Sequence, residues 1–205
     1  MSKKKSKFIG LKEVIIVTLF SVISFVISMV TAIPFAASVM LQLYAGYALM
    51  AIITGPVYVL MINKSSKVGT QVLFFGIIAI YYLLIGQIPT GIIFIVTGFI
   101  CELICMKDGY HKPVQVGAAY ALHMTVYGLG NFFPILILGD TYFQGLIDKG
   151  VDAEKVNIMK ETYSDPVIVL TVVLTLCVSS IIGMVIGYFM LKKQFAPAGV
   201  ADETN

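Results

Sequence analysis

Charge is what this chain has least of. Only 12% of its 205 residues are Asp, Glu, Lys or Arg, and apart from two histidines every basic residue is a lysine. The fifty residues between Glu13 and Lys64 carry no charged side chain, and neither do 68–101, 113–139 and 166–191. A water-solvated surface cannot be built from such tracts, which excludes a soluble domain and points to a chain solvated by lipid. The acids, bases and metal-ligand clusters of a catalytic centre are also scarce. No Gly-Lys-Ser or Gly-Lys-Thr phosphate loop occurs, so the chain does not hydrolyse ATP through such a loop on its own. A proton-coupled carrier normally places ionisable groups in mid-membrane, and only His123 qualifies.

What is present is apolar: 59% of the residues are hydrophobic. Thirteen of the twenty residues from Val14 to Ile33 are Val, Ile, Leu or Phe, and together they favour membrane insertion by about 5 kcal/mol. A crossing takes about 20 apolar residues. The spans expected are therefore 11–33, 38–62, 68–86, 90–106, 114–138 and 166–191. The stretch 68–102 is divided in two because Gly86, Pro89 and Gly91 interrupt its apolar run. The fold class expected is an all-α integral membrane protein, a bundle of six transmembrane helices over 11–193. A basic amino terminus (1–10) and a tail (194–205) flank it. Pro113 and Pro166 suit first-turn positions, with Ser164 or Asp165 as a cap.

The lysines orient this arrangement. With six crossings, Lys3, Lys4, Lys5, Lys7, Lys12, Lys64, Lys67, Lys107, Lys112, Lys192 and Lys193 share one side, leaving Lys149, Lys155 and Lys160 on the other. The positive-inside rule then places both termini in the cytoplasm. The segment 139–165 faces outward, with Tyr142, Phe143, Leu146 and Ile147 as apolar anchors. It is either a lid or a solvated connection.

Few residues inside the spans carry chemistry. His123, Tyr127 and Asn131 recur every four residues along one helix face, with Tyr120 a turn further in. Polar groups in lipid turn toward protein or a cavity, so this stripe either lines a pocket or locks neighbouring helices. Gln42, Tyr44 and Tyr47 on the second span, and Tyr81, Tyr82 and Gln87 at the end of the third, are further candidates for an outward-facing, aromatic, mainly uncharged substrate site. Glu102 is expected to snorkel to the interface. Cys101 and Cys105 are expected to be buried apolar thiols rather than metal ligands, and Cys177 stands alone. Small residues at four-residue spacing, Ser24, Ser28 and Ala32 on the first span and Ser179, Gly183 and Gly187 on the last, either dock a partner or pack the bundle.

The lysine-led layout, GPVYVLMINKSSKVGT from Gly55 to Thr70 and YGLGNFFPILILGDTYFQGLIDKGV from Tyr127 to Val151 together resemble the Trep_Strep, or MptD-type, family of S components of energy-coupling factor transporters. The resemblance covers roughly residues 8–197. It implies a bacterial plasma-membrane importer in which this chain captures a micronutrient from outside. A T component and two cytoplasmic ATPases that use ATP would be its partners, and a small-residue face on the first helix, here Ser24, Ser28 and Ala32, its docking site. It implies no enzyme activity and no intrinsic cofactor. The solute is a vitamin-like molecule or a tetrapyrrole such as haem, with His123 as a candidate axial ligand. Metal carriers would show a His-rich amino terminus, which Met1 to Lys5 lacks. A stand-alone secondary carrier and a membrane-embedded enzyme of lipid metabolism are the alternatives.

Overall fold

The computed structural model describes residues 7–130 and 132–195. Asn131, the lysines before Ser6 and the tail from Ala196 lie outside them. Helix α1 (Leu11–Ala32) starts where Gly10 donates its amide to Glu13 Oε2 at 2.8 Å. It turns only Val17, Ser21, Ser24 and Ser28 fully inward. Many of its long apolar side chains, among them Ile15, Leu19, Val26 and Val30, are exposed. Such a surface suits hydrocarbon and not water.

After a short 3₁₀ turn at Ile33–Phe35 the chain re-enters through α2 (Val39–Leu41), a π-helical turn at Gln42–Gly46, and α3 (Tyr47–Lys64). Helices α4 (Thr70–Leu84) and α5 (Ile88–Cys105) follow, parted by Gly86 at φ 79°, so the division expected at the Gly-Gln-Ile-Pro run is where the chain turns. Then come α6 (Pro113–Gly128), α7 (Phe132–Leu138), α8 (Asp140–Asp148), α9 (Ala153–Ser164) and α10 (Pro166–Met190), which ends in a π turn at Leu191–Phe195. Pro113 and Pro166 open their helices as expected. Asp165 caps α10 by accepting from the Val167 amide at 2.8 Å, while Ser164 instead donates to the Lys160 carbonyl.

Four of these stretches are long and apolar enough to cross a membrane: Leu11–Phe35, Val39–Lys64, Ile88–Cys105 and Pro166–Lys193. The expected fifth span, 114–138, is not straight. It breaks after Gly128, and α6 and α7 are bent by 59° to each other, so they form a further crossing only as a broken pair. Helix α4 has fifteen residues, about 22 Å of rise, and is short for a hydrocarbon core of about 30 Å.

Backbone proximity holds the bundle together. A Cβ on Gly183 of α10 would stand 2.4 Å from the Ala51 carbonyl oxygen of α3, and one on Gly187 would meet Pro56 and Val59. Small residues allow this approach, and packing is what joins helices in lipid. Gly183 and Gly187 thus seal α10 to α3, and Ser179 of the same stripe is buried. The stripe on α1 also turns inward: Ser24 and Ser28 are buried within the chain and Ala32 is half-buried. Of the residues expected to form a docking face, Ser24 and Ser28 are thus covered by the chain's own helices, and Ala32 is the one partly exposed.

The two ends of the bundle differ. At one end the segment before α1 bridges the α3–α4 loop, Ile9 donating to the Val68 carbonyl at 3.0 Å, and Glu13 pairs with Lys67. Here Glu102 does not snorkel. It is 5% exposed and accepts from the Gln71 amide in the first turn of α4 (3.0 Å) and from the Tyr110 hydroxyl (2.8 Å). A carboxylate at a helix N-terminus satisfies open amides and opposes the helix dipole. Burial, then the Glu102 carboxylate, hold the Tyr110 phenol well above its ordinary range, so it stays a donor. Cys101 and Cys105 are wholly buried nearby. The opposite end gathers the 33–38 turn, the α4–α5 turn and α7 to α9.

Candidate functional site

A space opens at this second end, opposite the lysine-bearing loops. It is a cavity of about 240 Å³ lined by Val39, Gln42, Leu43, Tyr47, Gln87, Tyr142, Leu146, Val151, Lys155, Met159 and Tyr163. Two kinds of structure make it. The π turn supplies the inner wall: its extra residue brings Gln42 and Tyr47, five positions apart, onto one face, with the Tyr47 amide donating to the Gln42 carbonyl. Helices α8 and α9 supply the outer wall. The segment 139–165 is thus neither an open connection nor irregular, and two of the anchors expected in it, Tyr142 and Leu146, point into the cavity.

The cap is fastened to itself and to the bundle. Lys160 of α9 pairs with Asp140 of α8 and lies 5.7 Å from the Phe143 ring centroid. Lys155 reaches across to the Ala36 carbonyl at 2.7 Å, and the Tyr163 ring lies 6.3 Å from that of Phe132 on α7. Asp152 accepts from the Glu154 and Lys155 amides and fixes the start of α9. Burial raises the Tyr142 phenol from its ordinary pKa, so this side chain stays uncharged at neutral pH. A smaller recess of about 170 Å³ lies beside the cavity and shares Gln87, Tyr142 and Leu146 with it.

The sequence-derived candidates separate into two places. Gln42, Tyr47 and Gln87 meet in the cavity. Tyr44 does not join them, because its hydroxyl bonds Thr171 of α10. His123, Tyr120 and Tyr127 belong to a different, mid-bundle void of about 10 Å³, shared with Ser24, Ser28 and Thr54. Tyr120 donates to the Ala51 carbonyl at 2.6 Å. Tyr127 connects the two places: its ring lies 6.3 Å from that of Tyr47. Tyr82 stacks on Phe94 at 5.2 Å, and Tyr81 lies 4.5 Å from Phe25. Asn131 lies outside the described residues.

Haem ligation by His123 does not fit this geometry. The imidazole is 2% exposed, with the rings of Phe74, Phe75, Phe94, Tyr120 and Tyr127 at 4.7–6.3 Å. A void of about 10 Å³ holds about one water, not a macrocycle. His123 Nδ1 and Ser24 Oγ both lack a protein partner there, which suits a bridging water. Among the described residues no three His, Cys, Asp or Glu side chains gather as a metal site.

Sequence reasoning missed Lys155, Met159 and Tyr163 as wall residues. The signal was available: Asp152 ahead of AEKVNIMKETYS is a helix start, and Val151, Lys155, Met159 and Tyr163 recur every four residues.

Several apolar helices packed through small residues, with an apolar exterior, define a multi-pass integral membrane protein. The chain belongs to the family described as hypothetical bacterial integral membrane protein (Trep_Strep), which matches residues 11–196. No curated protein and no solved structure shows significant similarity to it.

Proposed function

We propose that this chain is the substrate-binding S component of an energy-coupling factor importer, seated in the bacterial plasma membrane with six crossings and both termini in the cytoplasm. It captures a micronutrient in the outer cavity and passes it inward with a T component and two ATPases that use ATP. The observation that carries this reading is the cavity of about 240 Å³ at the lysine-poor end, roofed by a helical hairpin. A capture site facing the medium needs this placement, and an aromatic, amide-bearing wall binds small solutes without catalysing their conversion. Among the described residues the cavity lining contains no Asp, Glu, His or Cys, which favours binding over enzyme chemistry.

Affinity purification from the native membrane tests the assignment. Recovery of a T component and two ATPases with the chain, and solute uptake that needs all four, is the expected result. Uptake by the chain alone in proteoliposomes would instead identify a stand-alone carrier.

A further inference from the structure

The charge around the outer cavity has one sign. Lys155 borders it, Lys149 borders the adjoining recess, and among the described residues no Asp or Glu lines either space. Three of the five acids in α8, α9 and their connection are engaged elsewhere: Asp140 with Lys160, Asp148 with Gln144, and Asp152 with the first amides of α9. The other two, Glu154 and Glu161, are exposed and line neither space. Lys155 itself bonds a neutral carbonyl, that of Ala36. This uses one of its three donors, and among the described residues no carboxylate pairs with it.

Resting on the reading of this cavity as the capture site, we propose that its ligand is a small planar organic monoanion, an aromatic or heteroaromatic carboxylate of one or two rings. The acid group would lie at Lys155, where partial burial strengthens the attraction beyond its value in water. The ring would lie among Tyr47, Tyr142 and Tyr163, and the amides of Gln42 and Gln87 offer both donors and acceptors to polar ring atoms. Size agrees: about 240 Å³ falls below the range of about 300–1,000 Å³ usual for drug-sized ligands. A phosphate ester fits less well. Sites for such dianions commonly add arginine forks or open helix amides to lysine, and the chain has no arginine while Asp152 occupies the amides at the start of α9.

The test uses the full chain purified in detergent, with thermal unfolding and calorimetry as readouts. The probes are benzoate, nicotinate and indole-3-carboxylate, set against benzamide, nicotinamide and benzylamine. The carboxylates should stabilise the protein saturably, the amides should bind about ten-fold more weakly, and benzylamine should not bind. Lys155→Met should abolish the carboxylate preference, so that within this variant carboxylates and amides bind alike. Lys155→Arg should keep the preference. Amides or benzylamine binding as tightly as the carboxylates would overturn the proposal. So would a panel with no response, or an undiminished preference in Lys155→Met. The two readings fail separately. A neutral solute recovered with the assembled importer removes only the ligand class. Carboxylate binding without any recovered T component or ATPase removes only the transporter role.

Discussion

At the scale of single residues, the bundle depends most on positions where a side chain is missing. Gly183 and Gly55 let α10 and α3 meet backbone to backbone, and the atoms a Cβ would strike are main-chain atoms that have no rotamer to escape into. Gly183→Ala should therefore cost about 1–3 kcal/mol, read as a lowered melting temperature of the detergent-purified protein. Gly76→Ala is the control: nothing lies within 4 Å of the point where its Cβ would stand, and alanine's helix propensity should leave it as stable or up to about 1 kcal/mol more so. Equal melting temperatures for the two variants would show that the close contact carries no stability. The same scale explains what the four-residue spacings of small residues reveal. Ser24 and Ser28 on one helix and Gly183 and Gly187 on another were legible as contact faces, since spacing fixes which residues share a side. Spacing does not say what covers that side, and both faces turned out to be covered from within the chain.

At the scale of elements, the charge-free tracts, the Gly86 to Pro89 interruption and the prolines at helix starts made most helices readable in advance, because each is a local chemical signal. The π turn at Gln42–Gly46 was not readable, since it differs from an α turn only in which carbonyl each amide finds. The cap was hidden for another reason: a polar segment between apolar tracts looks like a connection unless its own capping and four-residue periodicity are weighed. Lys160 ties α9 to α8, since it both pairs with Asp140 and lies over the Phe143 ring. Surface pairs of this sort contribute little each, so Lys160→Ala should weaken the hairpin by about 1 kcal/mol, or about five-fold in local opening. Hydrogen exchange followed by mass spectrometry should then show faster exchange in α8 and α9 and unchanged protection in the middle of α3 and α10. Acceleration spread evenly over the bundle would mean that the hairpin is not a separate cap.

At the scale of the whole molecule, the proposed capture site needs the two ends of the bundle to face different compartments. The structure ties the chain before α1 to the α3–α4 loop, and Glu102 at the end of α5 to the start of α4, so these polar segments share one end. Lys7, Lys12, Lys64, Lys67, Lys107 and Lys112 lie in or beside them. The cavity and its cap share the other end. The weak member is α4, whose fifteen residues reach across a bilayer only if the membrane thins locally or the turns at its ends sink toward the core. Its route is nevertheless constrained, because Gly91 and Gly98 of α5 close on Leu83 and Phe75 of α4 in antiparallel order. Single cysteines at Ser66, Lys112 and Glu154 decide the matter, read against the background of the parent chain, whose Cys101 and Cys105 are buried and Cys177 half-buried. A membrane-impermeant maleimide should label Glu154→Cys in intact cells, and Ser66→Cys and Lys112→Cys only after permeabilisation. Labelling of Ser66→Cys and Lys112→Cys from opposite sides would mean that α4 and α5 do not both cross. Labelling of Glu154→Cys only from inside would turn the cavity toward the cytoplasm, where a capture site for an imported solute has no use.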